Sequence, residues 1–123
     1  MKIKTQDLIG AQLDWAVAKC DGIEYHTEDY QQDGVLYILI DGLRHEQFLP
    51  MYSAAWDFGG PLLERERIDL VFEDGGRTDW VAYVSTTMGG DLVARGPTTL
   101  IAAMRAFVAS KLGDEVEVPE ALA

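Results

Sequence analysis

The sequence predicts an α+β domain in which two main helices pack on a small antiparallel β-sheet of about four strands. Three observations carry that expectation. An apolar helical stripe, Ile101, Met104, Val108 and Leu112, runs through the last quarter of the chain, widened by Leu100, Ala103 and Phe107. A second, at Ile9, Leu13, Ala16, Val17 and Cys20, follows the same spacing near the start. Between them lie β-prone segments, Val35–Ile40 (VLYILI), Ile68–Glu73 and Asp79–Val84. Faces of these two kinds are buried by packing helix on sheet.

In chain order, the first helix starts after Thr5 or Gly10 and runs to Cys20, where Asp21-Gly22 stops it. A second stripe on it carries Ala11, Trp15 and Ala18. A helix apolar on two sides is either sandwiched in the fold or packed on another subunit, so these three residues are the expected homo-oligomer interface. Ile23–Tyr25 reads as a short strand and 26–34 as a polar loop. Val35–Ile40 is nearly all apolar, as a strand buried on both faces would be, and Asp41-Gly42 turns the chain. From Leu43 to Leu63 no period emerges, and ordered irregular segments of that length are uncommon outside functional loops. Ile68–Glu73 and Asp79–Val84 form a hairpin around Asp74-Gly75-Gly76. Thr86–Gly90 is a loop and Leu92–Ala94 a short strand. Gly96-Pro97-Thr98-Thr99 opens the last helix, with Thr98 or Thr99 as its N-cap, Lys111 suits its C-terminal dipole and Gly113 ends it. Residues 114–123 form an acidic tail expected to wrap the surface or a neighbour.

The chain has 123 residues, 48% of them hydrophobic and 25% charged, which places it among single globular domains rather than disordered chains. Its net charge of −11 argues against binding bulk nucleic acid or acidic membranes, while leaving room for a local basic pocket. With one cysteine, Cys20, no internal disulfide can form, and its apolar helical setting suggests an inert thiol. Met1-Lys2-Ile3-Lys4 leads directly into polar residues, and no apolar run approaches the roughly 20 residues of a membrane span, so a cytoplasmic protein is expected.

No catalytic or metal constellation emerges. One cysteine and two distant histidines, His26 and His45, do not make a zinc pattern, and no cofactor is expected. Ser53 lacks a nucleophile elbow, and Gly59-Gly60, Gly75-Gly76 and Gly89-Gly90 match no phosphate-binding fingerprint. Glu64-Arg65-Glu66-Arg67, if extended, puts its arginines on one face, where a guanidinium could grip an anion bidentately. Tyr52 and Trp56, beside Gly59 and Gly60, offer rings to stack on a base. Arg105 interrupts the apolar face of the last helix, and Thr98 and Thr99 at its start could offer hydroxyls and N–H groups to an anion.

Three segments together resemble the NinX-like proteins of tailed phages and prophages: LIGAQLDWAVAKCDG (Leu8–Gly22), YSAAWDFGGPLLERE (Tyr52–Glu66) and GPTTLIAAMRAFVASKLGDEVEVPEAL (Gly96–Leu122). The shared pattern falls on Asp14 and Trp15, on Trp56, Gly59, Gly60 and Pro61, and on Glu64, Arg65 and Glu66. It resumes at Pro97, Arg105, Gly113 and Glu115. The resemblance implies a phage origin and a bacterial host cytoplasm; it implies no enzyme chemistry.

The expected function is non-catalytic binding of a small anionic, nucleotide-like ligand, in the manner of a sponge for a host immune signal. Tyr52, Trp56, Gly59, Gly60, Glu64, Arg65, Thr98, Thr99 and Arg105 are the candidate ligand-binding residues. The alternatives are an acidic protein–protein module that mimics DNA or docks on a basic host or phage DNA-metabolism factor, and a nucleotide hydrolase using Glu64 or Glu66 with His45.

Overall fold

The computed structural model describes residues 1–31, 33–73, 79–86 and 90–123. Among them lie three α-helices, α1 (Gly10–Cys20), α2 (Trp56–Arg65) and α3 (Thr99–Leu112). Seven strands accompany them: β1 (Lys2–Lys4), β2 (Val35–Ile40), β3 (Leu43–Phe48), β4 (Asp69–Glu73), β5 (Asp79–Ser85), β6 (Asp91–Gly96) and β7 (Glu115–Glu117). The fold is α+β, as expected, but the strands divide into an antiparallel β4–β5–β6 sheet and two separate antiparallel pairs, β2–β3 and β1–β7.

Helix α3 is the hub. Leu100 and all seven residues from Ala102 to Val108 are buried, because TLIAAMRAFVASKL is apolar on nearly every side and charged only at Arg105 and Lys111. It packs on β5 and β6 across one side and on α1 and α2 across others. Small residues allow the close approach: a side-chain carbon on Gly96 of β6 would stand 2.7 Å from the Ala102 nitrogen. Thr98 caps the helix, its hydroxyl accepting the Ile101 N–H at 3.2 Å, and Gly113 closes it.

The expected hairpin is present, with Asp69 opposite Tyr83 and Glu73 opposite Asp79. Its turn, Asp74-Gly75-Gly76, lies outside the described residues, as does Gly89. The short strand read at Leu92–Ala94 extends over the whole of β6 and pairs with β5.

Three expectations are corrected. Ile23–Tyr25 is not a strand: Tyr25 enters the core as irregular chain, and only His26 bridges to Tyr37. Val35–Ile40 is a strand, but only Leu36 and Tyr37 are buried; Leu39 and Ile40 are exposed, because β2 pairs with a wholly exposed β3 in a projecting hairpin. That hairpin turns at Asp41 and Gly42, both with positive φ (52° and 79°), the geometry that Asp-Gly supplies to a tight two-residue turn. Third, 43–63 is not one irregular loop. It holds β3, whose LRHEQF lacks an apolar alternation, and α2, whose Gly59, Gly60 and Pro61 conceal a helix that packing on α3 supports. Of the two expectations for the acidic tail, a wrap on its own chain is the one realised: β7 pairs with β1, Lys2 opposite Glu117 and Lys4 opposite Glu115, while Val116, Val118 and Leu122 are buried.

Candidate functional site

The shortlisted residues fall into separate groups. On α2, Trp56 opens the helix with 54% of its surface exposed, and Tyr52 is buried, its ring edge-on to Phe58 at 6.3 Å. Gly59 is a packing residue: a side-chain carbon there would drive into the Tyr52 carbonyl and come within 2.9 Å of Leu100. Gly60 lies under the Trp56 ring. Glu64 is exposed, and Arg65 is held by Asp21 at 2.8 Å and Glu66 at 3.3 Å. Glu66 also faces Lys111 at 3.7 Å.

Trp56 and Arg65, both expected to bind one ligand, are therefore not brought together. Trp56 and Arg65 stand at opposite ends of one helix, nine residues apart, which is about 13.5 Å along the axis and roughly half a turn around it. The alternation Glu64-Arg65-Glu66-Arg67 is a helix end, not an extended strand entry. His45, the base considered for hydrolysis, sits exposed on β3 in the projecting hairpin.

Arg105 is buried and serves as an internal strut. Its Nε donates to the Leu8 carbonyl and its Nη1 to the Arg95 carbonyl, both at 2.9 Å. Burial pulls its pKa down, opposed by the charges of Asp7 and Asp79. Gln6 reinforces the joint, its amide donating to the Arg95 carbonyl at 2.6 Å and accepting the Arg95 N–H at 3.3 Å. Two clefts of about 410 and 370 Å³ meet here, sharing Gln6, Val93 and Arg105. The Thr98 hydroxyl is spent on its cap, and Thr99 is the first residue of α3.

The proposed subunit interface is corrected as well. Ala18 is fully buried and Trp15 is 8% exposed, its indole N–H donating to the Tyr25 carbonyl at 3.1 Å. Of that stripe only Ala11 faces outward, because the fold itself sandwiches α1.

Ala11 borders a different site, one the sequence reading did not assemble. A cleft of about 520 Å³ opens between the first half of α1, the base of the β2–β3 hairpin and the segment 49–54. Ala11, Leu36, Phe48, Leu49, Met51 and Ala54 make its walls largely apolar. Its deepest polar group is Asp14, only 6% exposed, whose carboxylate accepts the backbone N–H of Ser53 at 2.8 Å. Desolvation raises the Asp14 pKa above its ordinary value, against the lowering effect of hydrogen bonds from Ser53. A sequence signal existed: an Asp among the apolar residues of α1 must find a partner when buried. Asp33, at the cleft mouth, caps the turn into β2 by accepting the Val35 N–H at 3.0 Å.

No three described His, Cys, Asp or Glu side chains come together as a metal site would need. Among the described residues no helix is long and apolar enough to cross a membrane.

The family model described as "Bacteriophage P22, NinX" matches residues 4–111. A crystal structure of a phage protein from Bacillus cereus ATCC 14579 superposes with a TM-score of 0.58 at 19% identity, over 88% of this chain and 87% of that one. At that identity the likeness speaks to fold alone. No curated protein matches the chain.

Proposed function

This chain belongs to the bacteriophage P22 NinX family, and from that premise we propose that it is a phage accessory protein that binds a partner, without catalysis, through the cleft floored by Asp14. The observation that carries this reading is the cleft itself. Its volume of about 520 Å³ lies within the range of ligand-binding pockets, and its walls are apolar with few polar groups. The deepest of those groups is engaged in holding the chain at Ser53 rather than poised for chemistry. Phe48 (72% exposed) and Met51 (55%) present bulky apolar surface at the rim.

Capture from a lysate of infected bacteria tests it. Ala11 is exposed and lines the cleft, so Ala11→Trp should fill it. The wild-type chain should retain proteins that the variant releases; identical retained sets would overturn the reading.

A second reading, sequestration of a small anionic, nucleotide-like ligand, draws support from the clefts that meet at Arg105, where Lys4 and Arg95 also contribute cations. Arg95 is already paired with Glu73 at 3.1 Å, which makes this the weaker site. Calorimetric titration with cyclic dinucleotides and cyclic ADP-ribose isomers tests it, and an absence of heat across that panel would remove it.

A further inference from the structure

The Asp14 cleft does not end at Asp33. A second cleft of about 420 Å³ begins there, and the two share Asp33 and Leu36. Four carboxylates border it, Glu28, Asp29, Asp33 and Glu46, against one cation, Arg44. Arg44 is committed: it pairs with Asp29 at 3.1 Å and lies 4.0 Å over the Tyr37 ring. Glu28 accepts the Tyr37 hydroxyl at 3.1 Å. Asp33, which is exposed, accepts the Val35 N–H through Oδ1. An apolar hollow thus runs directly into an acidic one at the start of β2.

We infer that these joined clefts receive a basic segment of a partner protein, an apolar side chain entering beside Asp14 and an adjacent Lys or Arg meeting Asp33. The inference rests on the binding reading above and names the chemistry of the partner. Charge complementarity selects it: no Lys or Arg lines the Asp14 cleft, and the acidic cleft has an excess of carboxylates. The net charge of −11 draws a basic chain toward the site and opposes a second copy of this one. Two clefts in line suit a stretch of polypeptide better than a single small amine, since an apolar anchor and a cation on neighbouring residues would reach both at once.

An array of hexapeptides that combine Leu, Phe or Trp with Lys, Arg, Gln or Glu, probed with the full chain, reads this out directly. The retained peptides should carry Lys or Arg beside the apolar residue. The best of them, titrated in solution, should bind about tenfold more tightly than its glutamate counterpart and weaken as salt is raised. Asp33→Asn keeps the Val35 cap yet removes the charge, and should weaken the basic peptide while leaving a Gln-containing peptide unchanged. Ala11→Trp should abolish both. A retained set blind to charge, or no retained peptide, overturns the inference. If that charge-blind set is still lost on Ala11→Trp, the cleft reading survives alone; if it is not, both fall. A dimer in sedimentation that Ala11→Trp dissociates would seat a second copy in the cleft and overturn the basic-partner inference.

Discussion

The carboxylate of Asp14, on α1, accepts the backbone N–H of Ser53 at 2.8 Å, and both residues are buried. This contact, across 39 positions of sequence, fixes the segment that walls one side of the candidate cleft. It also places a carboxylate where water barely reaches.

Asp14→Ala should destabilise the fold by about 1–3 kcal/mol, because it orphans the Ser53 N–H. Asp14→Asn keeps an acceptor and removes the charge. Burial raises the folded-state pKa of Asp14 above its ordinary 3.8, so this group favours the folded state at low pH and loses that contribution as pH rises through the raised value. The Asn variant should therefore gain on wild type as pH is raised from about 4 toward 7. Urea unfolding at both values measures the difference, and an Asn variant that loses ground to wild type toward neutrality would contradict the sign.

Arg105 should prove structural rather than ligand-binding. Lys at that position lacks the planar fork that places separate N–H groups on the Leu8 and Arg95 carbonyls, and Arg105→Lys should cost about 1–3 kcal/mol. Thermal melts check this. An unchanged midpoint would release Arg105 from its strut role and revive the anion site.

The paired glycines of α2 should respond in opposite directions. Gly59→Ala meets the Tyr52 carbonyl and Leu100 and should destabilise by about 1–3 kcal/mol. Gly60→Ala approaches only the exposed Trp56 ring, at 3.2 Å, which can yield. There the helical preference for Ala should stabilise by up to about 1 kcal/mol. Chemical denaturation of the two variants side by side decides it.

Cys20 should be inert in the folded protein. Burial pushes its thiol up to about 12, so almost no thiolate exists near pH 8. A chromogenic disulfide reagent should label it only after unfolding; rapid labelling of the native chain would show the thiol to be accessible and ionised.

Much of the fold was legible because its signals are local. The stripe and caps of α3, from Thr98 to Gly113, and the β4–β5 pairing follow from periodicity and from residues within one turn of each other. What misled were positions where tertiary packing overrides local preference. WDFGGPLLER has two glycines and a proline, yet it is helical because Gly59 lets α2 settle against Tyr52 and Leu100. VLYILI is apolar enough for two buried faces, yet its partner strand is exposed. The resemblance drew attention to Asp14, Trp56, Arg65 and Arg105 alike, without distinguishing a cleft floor from an exposed ring, a surface ion pair or a buried strut.

By itself, then, the sequence determined the first and last helices, the β4–β5 hairpin, the net negative charge and the phage family, since each depends on residue type and near spacing. Only the tertiary structure decided that Trp56 and Arg65 part company while Asp14 meets Ser53. A helix carries positions nine apart to opposite faces whatever the side chains, and a contact between residues 14 and 53 exists only once the chain between them has folded back.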